Sequence, residues 1–184
     1  DENALEAALR IKDVGGDDVK VIVLSMGGKV SEAVLQKALA GEGYPLSERL
    51  DIFLKVCDAI TYAHSRDVIH LDLKPANILL EHDEEPRITD FGLAKRIEDD
   101  SELTKTGAIL GSVFYMSPEQ AKGETVDQRT DIWSLGVMLY EMVSGELPFK
   151  GEYEQARMYS ILNDEPKSVK QFRSDIPANI EQVI

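Results

Sequence analysis

One stretch of the sequence limits the possible folds more than any other. Residues 130–145, TDIWSLGVMLYEMVSG, are apolar on nearly every side when they are placed on a helix. A helix without a broad polar face has to be surrounded by protein, because solvent would otherwise meet its apolar side chains. We therefore expect a helix at 130–144 in the centre of a mainly helical domain. Of the 184 residues, 43% are hydrophobic, which is enough for a sizeable core.

Other elements are indicated by hydrophobic periodicity and by turn residues. Residues 29–40 are predicted as a helix closed by Gly41, and a longer helix follows, with Ser47 as its cap and an end near 64–66. The apolar positions of this longer helix are Leu50, Phe53, Leu54, Cys57, Ile60 and Ala63. Short strands are predicted at 20–25, 68–69, 77–80 and 87–89, the last two separated by the acidic, turn-prone sequence EHDEEP.

The charge balance excludes some classes of partner. The chain has 34 acidic and 20 basic residues and a net charge of −14, so a broad binding face for nucleic acid or anionic lipid is not expected. The single cysteine, Cys57, cannot form an internal disulfide and is predicted to be a buried thiol in a reducing compartment. No apolar run has the length of a membrane span, and the first residues do not resemble a signal peptide. These features predict a cytoplasmic chain or the cytoplasmic part of a membrane-anchored protein.

A cluster of polar residues stands directly before an apolar run at 70–80, HLDLKPANILL. His70, Asp72, Lys74 and Asn77 place an acid, a base and an amide within eight positions, with a proline between them. The segment is too polar for a core strand and too regular for a random loop. It predicts a site at the start of a strand.

Four separated motifs carry a resemblance to a known family. They are HLDLKPAN at 70–77, DFG at 90–92, SPE at 117–119 and DIWSLG at 131–136. In this order and spacing they resemble the catalytic loop, the magnesium motif, the end of the activation segment and the central helix of a eukaryotic-type (Hanks-type) serine/threonine protein kinase, in its bacterial form. The resemblance runs from about residue 21 to 184. It implies an α+β, protein-kinase-like fold, mainly the helical carboxy-terminal lobe with a remnant of the amino-terminal sheet.

The resemblance also implies roles for individual residues, with ATP and Mg²⁺ as cofactors and a protein serine or threonine as acceptor. Asp72 would orient the acceptor hydroxyl and take its proton, and Lys74 would reach the transferring phosphoryl group. Asn77 and Asp90 would hold magnesium beside the phosphates. His70 is expected to pack beneath the loop, not to act as a base. Asp131 is expected to accept hydrogen bonds from backbone donors of the catalytic loop.

Two departures from the family pattern stand out. Leu71 replaces the arginine that usually meets a phosphate on the activation segment, so phosphorylation at Thr104 or Thr106 would lose one partner. Ser112, in contrast, is not a departure, because it matches a position that has a structural role in the family. The glycine-rich loop, the strand lysine and its partner glutamate are not recognisable near the start of the chain.

The second departure predicts how the chain is divided. Residues 1–26 are expected to be a remnant of the amino-terminal lobe and hinge strand, and residues 27–184 a carboxy-terminal lobe that stops before its last helices. In the remnant, Leu24 would be the gatekeeper, and Ser25 and Met26 would contact adenine through their backbone. The isolated 184 residues are then expected to bind Mg-ATP weakly and to turn over poorly.

Three functions from different classes remain open on the sequence. The first is an active serine/threonine kinase, favoured by Asp72, Lys74, Asn77 and Asp90. The second is a pseudokinase or scaffold, favoured by the missing lysine and glycine-rich loop. The third is a phosphotransferase acting on small molecules such as aminoglycosides. It is disfavoured by Lys74, by the SPE motif and by the loop between Gly92 and Ser117, which resemble features that grip a protein substrate.

Overall fold

The computed structural model of the protein describes residues 45–80, 86–91, 95–96 and 113–184. In these ranges the chain is mainly helical, as expected. The α-helices are α1 (Leu46–His64), α2 (Pro118–Lys122), α3 (Gln128–Ser144), α4 (Glu154–Asn163) and α5 (Ala178–Val183). Two 3₁₀-helices span Pro75–Asn77 and Val169–Gln171. The short strands are β1 (Val68–Ile69), β2 (Ile78–Leu80), β3 (Pro86–Ile88) and β4 (Lys95–Arg96).

The strands form two antiparallel pairs. β1 pairs with β4, with Val68 opposite Arg96. β2 pairs with β3, with Ile78 opposite Ile88 and Leu80 opposite Pro86. The strands predicted at 68–69, 77–80 and 87–89 are therefore present, the second starting one residue later and the third shifted by one residue at both ends. The predicted strand at 20–25, the helix at 29–40, the remnant lobe at 1–26 and the domain boundary at 26/27 lie outside the described residues.

Helix α3 is central to the packing, as its sequence predicts. Met138 and Met142 belong to one apolar cluster with α1, while Leu139, Tyr140 and Val143 belong to a second cluster with the 3₁₀-helix at 169–171. The helix begins two residues earlier than predicted, because the side chain of Asp127 caps it by accepting a hydrogen bond from the backbone of Arg129. It ends at Gly145, which has the positive φ of 76° that favours glycine. Ile132 is an exception to the predicted burial, since it is 58% exposed.

The predicted cap of α1 is wrong. The helix begins at Leu46, after Pro45, and no side chain caps it. Ser47 lies inside the first turn, where its backbone is already helical and its hydroxyl cannot take the capping position. The backbone amide of Arg49 instead donates to the carbonyl of Pro45 at 3.1 Å.

The predicted buried face of α1 is partly wrong as well. The buried positions are Arg49, Ile52, Val56, Ile60 and Ala63, which follow one helical stripe. Leu54 lies two residues from both Ile52 and Val56, roughly 200° around the helix from each, and is 60% exposed. Cys57 is only half-buried, and its burial raises the pKa of the thiol to about 11.

The core of the described region consists of small apolar clusters, one of which includes residues of the segment at 70–80. One cluster joins α1 and α3 to that segment through Ile52, Val56, Ile60, Leu73, Ile78, Met138 and Met142. Leu73, in the middle of the turn between β1 and β2, and Ile78, at the start of β2, are almost fully buried, so they anchor the turn to the core. No helix of the described ranges combines the length and apolarity needed to cross a membrane.

Candidate active site

The turn between β1 and β2 is held from below by His70, whose ring is fully buried. Its Nε2–H donates to the carbonyl of Thr89 at 2.9 Å, and its Nδ1 accepts the backbone amide of Asp72 at 3.3 Å. These two bonds fix a neutral ring with the proton on Nε2. Burial lowers the pKa of His70, although the carboxylates of Asp131, Asp72 and Asp90 oppose the shift. The predicted packing of His70 beneath the loop is confirmed.

Three of the predicted site residues meet directly. The Nζ of Lys74 lies 2.6 Å from Oδ2 of Asp72. The Nδ2 of Asn77 donates to the backbone carbonyl of Asp72 at 2.8 Å and to its Oδ2 at 3.2 Å. Asp72 and Lys74 keep 14% and 23% of their side chains exposed, so a molecule arriving from solvent can reach both.

The side-chain oxygen of Asn77 is the atom suited to bind a cation. Both hydrogen bonds of the Asn77 side chain use Nδ2, and this orients the amide so that Oδ1 points away from Asp72. The 3₁₀-helix at 75–77 holds the residue in place, because the amide of Asn77 donates to the carbonyl of Lys74 at 2.9 Å. Asn77 is buried, although it is a polar residue.

Asp90 stands at the same end of the β2–β3 pair as Asn77. Thr89, its neighbour, donates to the carbonyl of Asn77 from its backbone amide at 2.8 Å and from its hydroxyl at 3.3 Å. Asp90 itself is exposed and has a φ of 58°, in the left-handed region that few residues with a side chain occupy. The ring of Phe91 then packs on His70 with a centroid distance of 4.6 Å. Asn77 and Asp90 thus lie at the same end of the strand pair, with Thr89 bonded to Asn77.

The donor set at this end suits a hard cation shared with a phosphate. Within the described ranges, no group of three or more His, Cys, Asp or Glu side chains could hold a metal by itself. An amide oxygen and one carboxylate are too few ligands for a closed protein site, but Mg²⁺ commonly takes one or two protein oxygens together with phosphate oxygens and water. Asn77 and Asp90 therefore fit Mg²⁺ in this manner.

Asp131, at the start of α3, fixes the backbone of the turn. Its carboxylate is fully buried and accepts the amides of His70 at 2.8 Å and Leu71 at 2.9 Å. The predicted structural role of Asp131 is confirmed. His64 contacts the same carboxylate, with its Nε2 2.8 Å from Oδ2 of Asp131, and 12% of its side chain is exposed. The contact joins residues 67 positions apart, which no local pattern indicates.

The SPE motif opens helix α2 with a reciprocal cap. The Ser117 hydroxyl accepts the amide of Gln120 at 3.3 Å, and the Gln120 side-chain oxygen accepts the amide of Ser117 at 3.0 Å. This capping box could have been found in the sequence from Ser-x-x-Gln at 117–120. Glu119 accepts the Thr130 hydroxyl at 2.7 Å, which ties α2 to α3.

A second tie connects the residues before α2 to α3. The Tyr115 hydroxyl donates to Oε2 of Glu141 at 2.6 Å. Burial raises the pKa of both groups, and the neighbouring Glu141 carboxylate adds to the shift of Tyr115.

Leu24, Ser25 and Met26, predicted to contact the nucleotide, lie outside the described residues. So do Ser112, Thr104 and Thr106.

Comparison with known proteins decides the family. The sequence profile described as "Protein kinase domain" matches residues 11–183. The chain belongs to this family. The resemblance found in the sequence is confirmed, and the helical lobe with its small strand pairs is the corresponding part of the protein kinase fold.

The chain is also similar to individual bacterial kinases. It is 36% identical over 177 residues to the serine/threonine-protein kinase PrkC of Bacillus subtilis, covering 95% of this chain and 26% of PrkC. It is 35% identical over 156 residues to the serine/threonine-protein kinase PknB of Mycobacterium leprae, covering 84% of this chain and 25% of PknB. A probable serine/threonine-protein kinase of Clostridium perfringens, CPE1738, is 36% identical over 178 residues, which are 96% of this chain and 25% of that protein. The chain thus spans about a quarter of the length of these curated relatives.

Proposed function

We propose that this chain carries the phosphoryl-transfer site of a serine/threonine protein kinase. The acceptor is a serine or threonine hydroxyl on a protein, and the donor is ATP. The observation that carries the proposal is the contact of Asp72 with both Lys74 and Asn77, beside the strand end that presents Asp90. The similarity to PrkC and PknB, both named serine/threonine-protein kinases, supports the same activity.

Asp72 is the residue that binds and orients the acceptor hydroxyl. Its partly exposed carboxylate can accept a hydrogen bond from the incoming hydroxyl and orient the oxygen toward the γ-phosphorus. As the new O–P bond forms and the bond from the γ-phosphorus to the bridging oxygen of ADP breaks, the hydroxyl proton passes to Asp72. The products are the phosphorylated residue and ADP.

Lys74 and the two proposed cation ligands offset the negative charge of the phosphates. The Nζ of Lys74 already lies beside the carboxylate of Asp72, so it can also reach an oxygen of the γ-phosphate that the hydroxyl held by Asp72 attacks. Oδ1 of Asn77 and the carboxylate of Asp90 are the proposed ligands of Mg²⁺. When bound, the cation would neutralise phosphate charge. We assign the adenine contacts to Leu24, Ser25 and Met26 on the resemblance alone, with the lobes divided at 26/27.

The net charge of −14 supports a protein acceptor over nucleic acid, and a cytoplasmic location is part of the proposal.

A pseudokinase or scaffold is the second candidate. It is compatible with the same contacts of Asp72, Lys74 and Asn77, which can hold a nucleotide without transfer. Such a protein would keep the fold and its binding surfaces but would not transfer phosphate.

The experiment is a transfer assay with the protein as its gene encodes it, including any residues that flank these 184. The protein is incubated with γ-labelled ATP, Mg²⁺ and a library of serine, threonine and tyrosine peptides, and products are identified by mass spectrometry. The proposal expects label on serine and threonine peptides, lost when EDTA removes the divalent cation. Nucleotide binding without transfer to any peptide would favour the pseudokinase.

A further inference from the structure

Leu71, directly before Asp72, has an unusual backbone conformation. Its φ is 69°, in the left-handed region that a leucine side chain rarely adopts. A residue keeps such a conformation only where its surroundings enforce it. The contacts that hold Leu71 in this conformation therefore also orient the backbone of Asp72, the next residue.

The peptide groups on both sides of Leu71 are held by side chains from other helices. Its amide donates to Oδ1 of Asp131 on α3 at 2.9 Å, and its carbonyl accepts Nε2–H of Gln120 on α2 at 2.7 Å. The carbonyl of Leu71 belongs to the peptide bond that leads into Asp72. The bond from Gln120 thus acts on the link to the proposed catalytic carboxylate.

Gln120 is itself fixed in the orientation that this bond needs. Its Oε1 accepts the amide of Ser117, so Nε2 is the atom left to face Leu71. Ser117 is fully buried, and its hydroxyl accepts the Gln120 amide in return. One side chain therefore caps α2 and reaches across 49 positions to the turn that carries Asp72.

We propose that Gln120 is a positioning residue of the kinase site, which acts through Leu71 to hold Asp72. This inference rests on the proposed function for its consequence, although the contact itself does not. The link is a neutral hydrogen bond between α2 and the turn between β1 and β2, which carries Asp72. It needs neither a phosphate nor a cation at position 71, where this chain has leucine.

Gln120→Glu separates the two tasks of the side chain. A carboxylate can still accept the amide of Ser117, and it is compatible with the first turn of a helix. It cannot donate to the Leu71 carbonyl. Gln120→Met removes both bonds at similar size. Gln182→Glu, on the exposed face of α5, is the control for the added charge.

Amide hydrogen exchange of Leu71 and Asp72, measured by NMR, reads the position of the turn without requiring activity. We expect protection of these amides to fall by about fivefold or more in Gln120→Glu, the size expected for one lost hydrogen bond, with a smaller fall of the unfolding midpoint than in Gln120→Met. Gln120→Met should lower both the protection and the midpoint, and Gln182→Glu neither. Unchanged protection in Gln120→Glu would overturn the proposal.

If a variant does not fold, the contact between Gln120 and Leu71 can still be measured in the wild-type protein. The through-hydrogen-bond scalar coupling between Nε2 of Gln120 and the carbonyl carbon of Leu71 should be detectable, as should the couplings across the β2–β3 pair. Absence of the first coupling, with the ladder couplings present, would overturn the contact.

The kinetic consequence is tested separately. In Gln120→Glu we expect kcat to fall about tenfold or more with an unchanged KM for ATP, because only the orientation of Asp72 is altered. Reduced protection with unchanged kcat would overturn the positioning role. A wild-type protein without any transfer would contradict the proposed function, while the exchange data would still decide whether Gln120 holds the turn.

Discussion

The side chains of Lys74 and Asp72 form an ion pair, with Nζ 2.6 Å from Oδ2. Both side chains keep part of their surface exposed, so solvent and salt weaken the attraction between the two charges. Its importance is expected to be kinetic. We predict that Lys74→Met lowers the rate of phosphoryl transfer by about 100-fold or more, because a cation that offsets developing charge is lost.

The measurement for Lys74 is a steady-state transfer assay together with a urea unfolding curve. Lys167→Met is the matched control, since its side chain is exposed and distant in sequence from the site. The control should keep the wild-type rate. A Lys74→Met protein as active as Lys167→Met would show that Lys74 has no part in transfer.

Asp131→Asn is predicted to destabilise the fold by about 3 kcal/mol. The buried carboxylate accepts two backbone amides and contacts His64, and an asparagine would lose the charge and turn a donor toward some of these groups. Urea unfolding at neutral pH measures the change. Asp51→Asn, on the exposed side of α1, should change the free energy of unfolding by no more than about 0.5 kcal/mol. Similar small losses in both proteins would contradict the role given to Asp131.

Acidification is predicted to destabilise the protein through His70. Burial lowers the pKa of His70 in the fold below its ordinary value of 6.5, so the unfolded chain binds the proton more readily. The stabilising contribution of the neutral ring is therefore complete above pH 6.5 and is lost as the pH falls from there toward the folded-state pKa. The slope can reach about 1.4 kcal/mol per pH unit.

The check is the free energy of unfolding between pH 7.5 and about 5.5 for the wild type and for His70→Gln. Glutamine does not titrate and can still donate to the Thr89 carbonyl. The difference between the two proteins should shrink as the pH falls. A difference that stays constant with pH would mean that His70 does not contribute in this way.

Gly151→Ala is predicted to destabilise the protein by about 1–3 kcal/mol, as expected for overpacking. A Cβ at residue 151 would lie 2.5 Å from the backbone nitrogen of Arg157 and 2.8 Å from the carbonyl carbon of Ala156, so the first turn of α4 would have to move. Gly136→Ala on α3 is the opposite case, because a Cβ there meets nothing within 4 Å. It should stabilise the helix by up to about 1 kcal/mol. Thermal unfolding that ranks these variants in the reverse order would contradict the packing.

The sequence predicted the parts of this fold that depend on local pattern. The burial of α3 follows from its apolar composition, and the strand pair beside Asn77 follows from short apolar runs around a turn. The buried stripe of α1 was misplaced, because Leu54 and Val56 are equally apolar and only packing against α3 selects between them. Contacts such as His64 with Asp131 and Gln120 with Leu71 join distant residues, so they become visible only once the helices are placed.

The most direct test of the account is the single-turnover rate of Asp72→Asn. The protein, as its gene encodes it, is mixed with Mg-ATP and a serine peptide that the wild type phosphorylates. Asparagine keeps the shape of Asp72 but cannot accept the hydroxyl proton, so we predict a fall in rate of about 100-fold or more with the fold intact. Asp51→Asn should keep the wild-type rate. Transfer by Asp72→Asn at the wild-type rate would contradict the assignment of Asp72, and a wild type that phosphorylates no peptide would contradict the proposed activity itself.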